Sequence, residues 1–221
     1  MKLKIGIDNA TRSHVVGSVV IAMVIIDSNF SRKFPSIRGK LLTRKERDNI
    51  VNTTKKYVKH HFIYRIKPED IKEDDLNDLE AKAMIECLNS YPEFWKHDIY
   101  INLFDPAKEH LLERIKKFLP HNLKNIDLSI DKWHIMRECN KKHRPCSLAS
   151  IYSKSFSDLE YDDIKRVYGD FGSGSPEDPK TRKFILNNKD CPHLRTSWRS
   201  YKDIIKAAQS NSKRKVKRWK K

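Results

Sequence analysis

The sequence predicts an α/β fold: a mixed five-stranded sheet flanked by helices, with a C-terminal helical extension. Three observations lead there. The chain opens on two Val/Ile-rich runs, Leu3–Ile7 and Val15–Ile26, joined by a polar turn that starts at Asp8. Further short apolar runs then alternate with stretches of helical periodicity, the pattern of a sheet with helices on its faces. Beyond residue 165 or so the strand pattern stops and only helical or loop composition remains.

The elements follow in order. After the first hairpin a basic loop is expected over Ser31–Lys40, then a helix opening at Thr43, where Thr43 and Glu46 form a capping box. His61–Ile66 reads as a third strand. Asp74–Tyr91 reads as a helix with Leu76, Leu79, Ala83, Met84, Cys87 and Leu88 on one face. Asp98–Leu103 is a fourth strand, Pro106 starts a helix to Phe118, and Asn125–Ile130 reads as the fifth strand. Pro145 to about Tyr168 is helical, Gly169–Pro179 is a loop, and Trp198–Ala208 is a last helix. One domain is expected over 1–208, with 209–221 a basic, flexible tail.

Composition bears on partners. The formal net charge of +17 points to polyanions, nucleic acid first. With 38% hydrophobic and 34% charged residues the chain is polar but foldable. The four cysteines show no CxxC spacing and read as reduced thiols, so a cytoplasmic setting is expected. Val15–Ile26 is too short to span a bilayer, and no membrane partner is expected.

Several motifs in consistent order resemble the archaeal-type ribonuclease HII family. Gly6 to Ser13 (GIDNATRS) stands where that family has GIDEAGRG. Lys40-Leu41-Leu42-Thr43 follows its DSKKLT segment, and Asp75 to Ala81 (DLNDLEA) resembles NLNELEA. Ala149 to Lys154 (ASIYSK) resembles AASIxAK, Gly172 to Arg182 resembles GSGYPSDPKTR, and Arg195 to Trp198 resembles RxSW. The resemblance implies a ribonuclease H-like fold and an enzyme cutting RNA in RNA–DNA hybrids with two metals held by four carboxylates, DEDD. It places those four positions at Asp8, Asn9, Asn102 and Asn140, so that one acid is kept and three are amides. An amide brings no charge to Mg²⁺, which favours carboxylates. The expectation is a catalytically inactive or severely impaired member, folding without a divalent metal and needing no cofactor; Mg or Mn would serve if activity is retained. The GRG turn is Thr11-Arg12-Ser13 here, and the family's GSGYP tyrosine is Ser175.

The expected partner is nucleic acid, as RNA–DNA hybrid, duplex or single strand, held by phosphate contacts from Arg12, Lys40, Arg44, Lys154, Arg182 and the tail. In that tail Lys213, Arg214, Lys215, Lys217 and Arg218 lead into Trp219, which could stack on a base. Gln209 lies where relatives carry a sliding-clamp peptide, but the anchors that follow in such peptides are missing, so clamp binding is not expected. Two other readings stand beside this one: residual metal-dependent endoribonuclease activity on hybrids, and a protein-interaction scaffold. Asp105, Asp158, Asp162 and Asp163 are the acids that could serve as replacement ligands, Asp105 reading instead as a cap of the next helix. His134, Cys139, His143 and Cys146 suggest a zinc cluster by composition, but their spacing does not match a paired-ligand pattern.

Overall fold

The structure is a computed structural model that describes residues 3–35, 37, 42–72, 75–126, 128 and 132–219, with 211–219 described by their backbone alone. Five strands form one sheet in the order β3-β2-β1-β4-β5: β1 Lys4–Ala10, β2 Val19–Ile26, β3 His60–Ile66, β4 Asp98–Asn102 and β5 Trp133–Met136. The β1–β2 and β2–β3 pairs are antiparallel, whereas β1–β4 and β4–β5 are parallel. The helices are α1 Ser28–Lys33, α2 Arg44–Thr54, α3 Leu76–Asn89, α4 Lys108–Phe118, α5 Cys139–Lys142, α6 Arg144–Tyr168, α7 Pro179–Asn187 and α8 Arg199–Trp219.

Alternation along the strands divides the core between two faces. Ile5, Ile7, Ile21, Met23, Ile99 and Ile101 pack with Met84 and Leu88 of α3 and with Leu111 and Ile115 of α4. On the other face Ala22, Val24 and Ile26 meet Leu148, Ala149, Ile151 and Tyr152 of α6. Every residue of β2 is therefore buried, which is why its sequence is an unbroken apolar run. Gly6 lets α6 lie close on β1: a Cβ there would fall 2.1 Å from the carbonyl of Pro145. That contact brings the start of α6 over the carboxyl end of β1.

The expected elements are present, with corrections. β2 begins at Val19, not Val15. Val15 and Val16 instead join the C-terminal region: Val15 N–H donates to Gly174 O at 2.8 Å, Arg195 N–H donates to Val15 O at 3.0 Å, and Val16 bridges Leu194. They belong to a separate apolar cluster with Tyr161, Ile164, Phe171, Phe184 and Leu194. The described sheet takes its fifth strand from Trp133–Met136, in register with β4; of the expected strand Asn125–Ile130, residues 125, 126 and 128 are described outside any strand and 127, 129 and 130 lie outside the described residues. Ser31–Lys33 of the expected basic loop Ser31–Lys40 close the helix α1, which Asp27 caps by accepting from Phe30 N–H at 2.7 Å; residues 36 and 38–40 of that loop lie outside the described residues. α8 continues past residue 208 to Trp219, there being no Gly or Pro from Arg199 to Trp219 to stop it. Among the described residues no helix is long and apolar enough to cross a membrane.

Candidate functional site

The site lies where the parallel strands β1 and β4 end side by side, the crevice position in open α/β sheets. Asp8 points from β1 toward α6 and is only 2% exposed. Its Oδ2 accepts from Asn140 Nδ2 at 2.8 Å, and its Oδ1 accepts from the Asn9 N–H at 2.9 Å. The same Asn140 nitrogen lies 3.4 Å from Ser150 Oγ of α6. Asn102, at the end of β4, uses its Oδ1 to accept from the Cys139 N–H at 3.1 Å, which tethers α5. Burial pushes the Asp8 carboxyl above its ordinary value, opposed by hydrogen bonds from Ser150, Asn140, the Asn9 amide and Asn102.

Asn9 is the next residue on the strand and faces the other way. Its Nδ2 donates to Glu80 Oε1 at 2.6 Å, while Arg12 Nε donates to Glu80 Oε2 at 2.8 Å. Arg12 also bonds Asn77 and lies over the Phe104 ring at 5.5 Å. Asn77 Nδ2 donates in turn to Asp105 Oδ1 at 2.8 Å. Glu80 is fully buried in α3, and desolvation raises its carboxyl to about 7 despite Arg12 and Asn9.

The ribonuclease HII family profile matches residues 5–201. Ribonuclease HII of Thermococcus sibiricus is 33% identical over 92% of this chain and 92% of its own length. That of Picrophilus torridus is 37% identical, covering 90% and 96%. The ribonuclease H2 structure from Pyrococcus horikoshii superposes with a TM-score of 0.77 at 26% identity, over 91% of this chain and 96% of that one. The chain belongs to the ribonuclease HII family.

Ribonuclease HII reactions are metal-dependent, and the four residues that the motif resemblance assigns to the DEDD positions do not fit a metal pair here. Asp8 is the one carboxylate. Asn140 and Asn9 spend their amide nitrogens on carboxylates, and the Asn102 carbonyl is engaged by Cys139. A cation needs acceptor oxygens aimed at a common point; the hydrogen donated by Asn140 occupies the approach to Asp8. The ribonuclease HII position at residue 9 is thus the one not gathered with Asp8, Asn102 and Asn140.

The other acids are committed elsewhere. Asp105 is fully buried with Asn77, and Ala107 holds the N-cap position of α4, so the expected capping role is corrected. Asp158 pairs with Arg47, Asp162 with Arg44 and Asp163 with Arg166. Cys139 and Cys146 are buried, His134 and His143 pack around Tyr100, and no group of three His, Cys, Asp or Glu among the described residues could hold a metal.

Beside Asp8 lies a cleft of about 760 Å³. Of the basic residues expected to bind nucleic acid, Arg44 and Lys154 line it. Arg12 is turned toward Glu80, Arg182 borders a different cavity and donates to Pro176 O, and Lys40 lies outside the described residues. The tail residues Lys213, Arg214, Lys215, Lys217, Arg218 and Trp219 are on α8, with side chains outside the description. Sequence reasoning missed Arg47, Lys141 and Lys165 on the cleft wall. The signal was helical spacing: Ser150, Lys154, Asp158, Tyr161 and Lys165 form one stripe of α6.

Thr11 and His14, from the turn between β1 and β2, border the cleft. Thr11 has φ of 61°, a left-handed conformation rare for a β-branched residue, at a position where the ribonuclease HII motif has glycine. Its Oγ1 lies 2.7 Å from Ser18 O. Behind the turn, fully buried Arg195 donates from Nε to Gly17 O at 2.8 Å and from NH1 to Arg12 O at 3.1 Å. Burial lowers the Arg195 guanidinium to about 10.

Proposed function

We propose that this ribonuclease HII family member binds nucleic acid, as RNA–DNA hybrid or duplex, along the Asp8 cleft and does not cleave it by the family's two-metal route. The observation that carries the reading is the Asn140 amide nitrogen, 2.8 Å from Asp8 Oδ2, where a second carboxylate would be needed. Mg²⁺ keeps its waters unless anions displace them, and one buried carboxylate already satisfied by amides is a weak claimant. Neither Asn102 nor Asn140 can accept a proton from an attacking water or bridge two cations.

The cleft wall supports binding. Lys154 is exposed on it, with Arg44, Lys141 and Lys165 alongside, and the chain's net charge of +17 favours any polyanion. Such contacts position a strand without reading its bases, so binding depends steeply on salt and shows little preference for an RNA–DNA junction.

The test is a labelled hybrid, a duplex with one embedded ribonucleotide and a plain DNA duplex, each at two salt concentrations with Mg²⁺ or Mn²⁺. Binding of all three that weakens with salt, with no cleavage, is the expected result. Cleavage in excess Mn²⁺ that disappears in Asp8→Ala would establish retained activity instead. Absence of binding at low salt would remove the nucleic-acid reading.

A further inference from the structure

A second basic cavity lies on the same face of the sheet as the Asp8 cleft, around the start of α6. It measures about 510 Å³ and is bordered by Lys4, Tyr100, Lys141, Lys142, His143 and Arg144. No Asp or Glu of the described residues lines it. Lys4 and Lys142 are exposed, and the Lys4 ammonium lies 5.9 Å from the centroid of the Tyr100 ring. Arg144 is anchored through its two terminal nitrogens on Ser31 O at 3.1 Å and Pro35 O at 3.0 Å, while its Nε is buried without a partner. His143 stands at the N-cap of the 25-residue helix α6, and no side chain caps that end. The helix terminus and the cations therefore present positive charge to one space. Burial first, then His134, Lys4 and Lys142, push the His143 imidazole below its ordinary value, which favours the neutral ring beside the two exposed lysines, while Lys141 on the same border is paired with Glu138.

Two features connect this cavity to the cleft. Lys141 and Ser147 border both. Lys4, Gly6 and Asp8 also point to one face of β1, so Lys4 and Asp8 are separated by four strand residues, about 13 Å, or about four base pairs of duplex.

From this continuity we propose that the cavity at Lys4, Lys142 and His143 is a phosphate subsite that takes backbone phosphates of a strand leaving the Asp8 cleft, extending the footprint across α5. This rests on the nucleic-acid reading above and specifies which surface beyond the cleft the strand follows. The ligand chemistry is a phosphate oxyanion, and the phosphodiester backbone is the source the shared border favours over a free phosphate.

The experiment compares wild type, Lys4→Gln/Lys142→Gln and a charge-matched control, Lys116→Gln/Lys124→Gln, whose lysines are exposed and lie on or after α4, on the opposite side of the sheet. Binding of a labelled 30-base-pair hybrid is followed by anisotropy across a salt series. The expected result is a salt slope lower by about two for Lys4→Gln/Lys142→Gln, with affinity down about tenfold at low salt and the control near wild type. Equal losses in both double variants would show a general charge effect and overturn the proposal, as would an unchanged slope in Lys4→Gln/Lys142→Gln.

Inorganic pyrophosphate provides a readout independent of nucleic acid. Adding it should shift the His143 ring protons in the NMR spectrum of wild type and not of Lys4→Gln/Lys142→Gln. If wild type binds no hybrid yet pyrophosphate shifts His143, the cleft reading fails and the cavity is a free-phosphate site. If hybrid binds to the cleft and pyrophosphate shifts nothing, the subsite alone fails.

Discussion

Replacing Glu80 by glutamine should flatten the pH dependence of stability in a defined direction. Glu80 is fully buried, with Arg12 Nε at 2.8 Å and Asn9 Nδ2 at 2.6 Å as donors, and its carboxyl is raised from 4.5 to about 7. A raised value means that the folded protein holds the proton more tightly than the unfolded chain. The stabilisation is then complete below about pH 4.5 and is lost as pH climbs toward 7. That rise, at about 1.4 kcal/mol for each tenfold change in proton affinity, corresponds to about 3 kcal/mol across the window. Glutamine does not titrate. It can turn its carbonyl to Arg12 and its amide toward an Asn9 flipped to accept, so the local hydrogen bonds survive. Asp8 is also raised, and it titrates in both proteins, so it cancels in the comparison. Urea unfolding of wild type and Glu80→Gln at pH 4, 5, 6, 7 and 8 is the assay. The stability of wild type minus that of the variant should fall by about 3 kcal/mol from pH 4 to pH 8. A difference that stays constant with pH would show that Glu80 ionises normally and refute the reasoning.

Three further outcomes follow from the same contacts. Thr11→Ala should be less stable than Thr11→Gly by about 1 kcal/mol in urea unfolding, because both lose the hydroxyl that reaches Ser18 O but only alanine keeps a Cβ at φ 61°. Arg195→Ala should lower the melting temperature by about 10 °C, the loss of about 3–4 kcal/mol, since it leaves Gly17 O and Arg12 O unpaired around a large void; Arg195→Lys should recover less than half. The triple reversion Asn9→Glu/Asn102→Asp/Asn140→Asp should melt below wild type without metal, through carboxylate repulsion, and gain about 1–2 kcal/mol in 10 mM Mn²⁺ if it binds with millimolar affinity. Wild type should melt at the same temperature with and without Mn²⁺.

What could be read from the sequence was mostly local. The Thr43–Glu46 capping box is present as expected, with Thr43 N–H donating to Glu46 Oε2 at 2.6 Å. The unbroken apolar run of β2 is explained by burial on both faces. Asp8, Asn102 and Asn140, which the family motifs single out from distant parts of the chain, meet in one cluster. The chain of Asn9, Glu80, Arg12, Asn77 and Asp105 was not legible, since strand β1, helix α3 and the end of β4 contribute to it and no spacing rule links them. Trp133–Met136 was not legible as a strand because its four residues are too few to show a period, and it is their parallel pairing with β4 that defines them. Arg12 illustrates the general difficulty. Its charge and position in the turn suggested a phosphate contact, whereas a buried carboxylate on another element claims the guanidinium.

The Thr11–Ser18 turn is held in place by residues that take no part in the Asp8 cluster. A glycine-poor turn in a left-handed conformation costs about 1–3 kcal/mol at a β-branched residue. Here the conformation is over-determined from three sides. Glu160 of α6 accepts from both Ser18 N–H, at 2.9 Å, and Ser18 Oγ, at 2.8 Å. Tyr161 reaches His14 Nδ1 at 2.6 Å and donates to Val16 O at 3.1 Å, and Arg195 holds the carbonyls of Arg12 and Gly17 from behind. Gly17 retains its left-handed φ of 77°, where a Cβ would fall 2.8 Å from the Tyr161 ring. The supports lie in α6 and the C-terminal region, away from Asp8, Asn102 and Asn140, so the turn holds its shape without a contribution from that cluster. The proposed function gives Thr11 and His14, which border the cleft, a further role in contacting the bound strand. Disrupting a support, as in Glu160→Gln or Tyr161→Phe, should then weaken hybrid binding more than it lowers the melting temperature would suggest. Loss of stability with unchanged affinity would instead assign the turn to the fold alone.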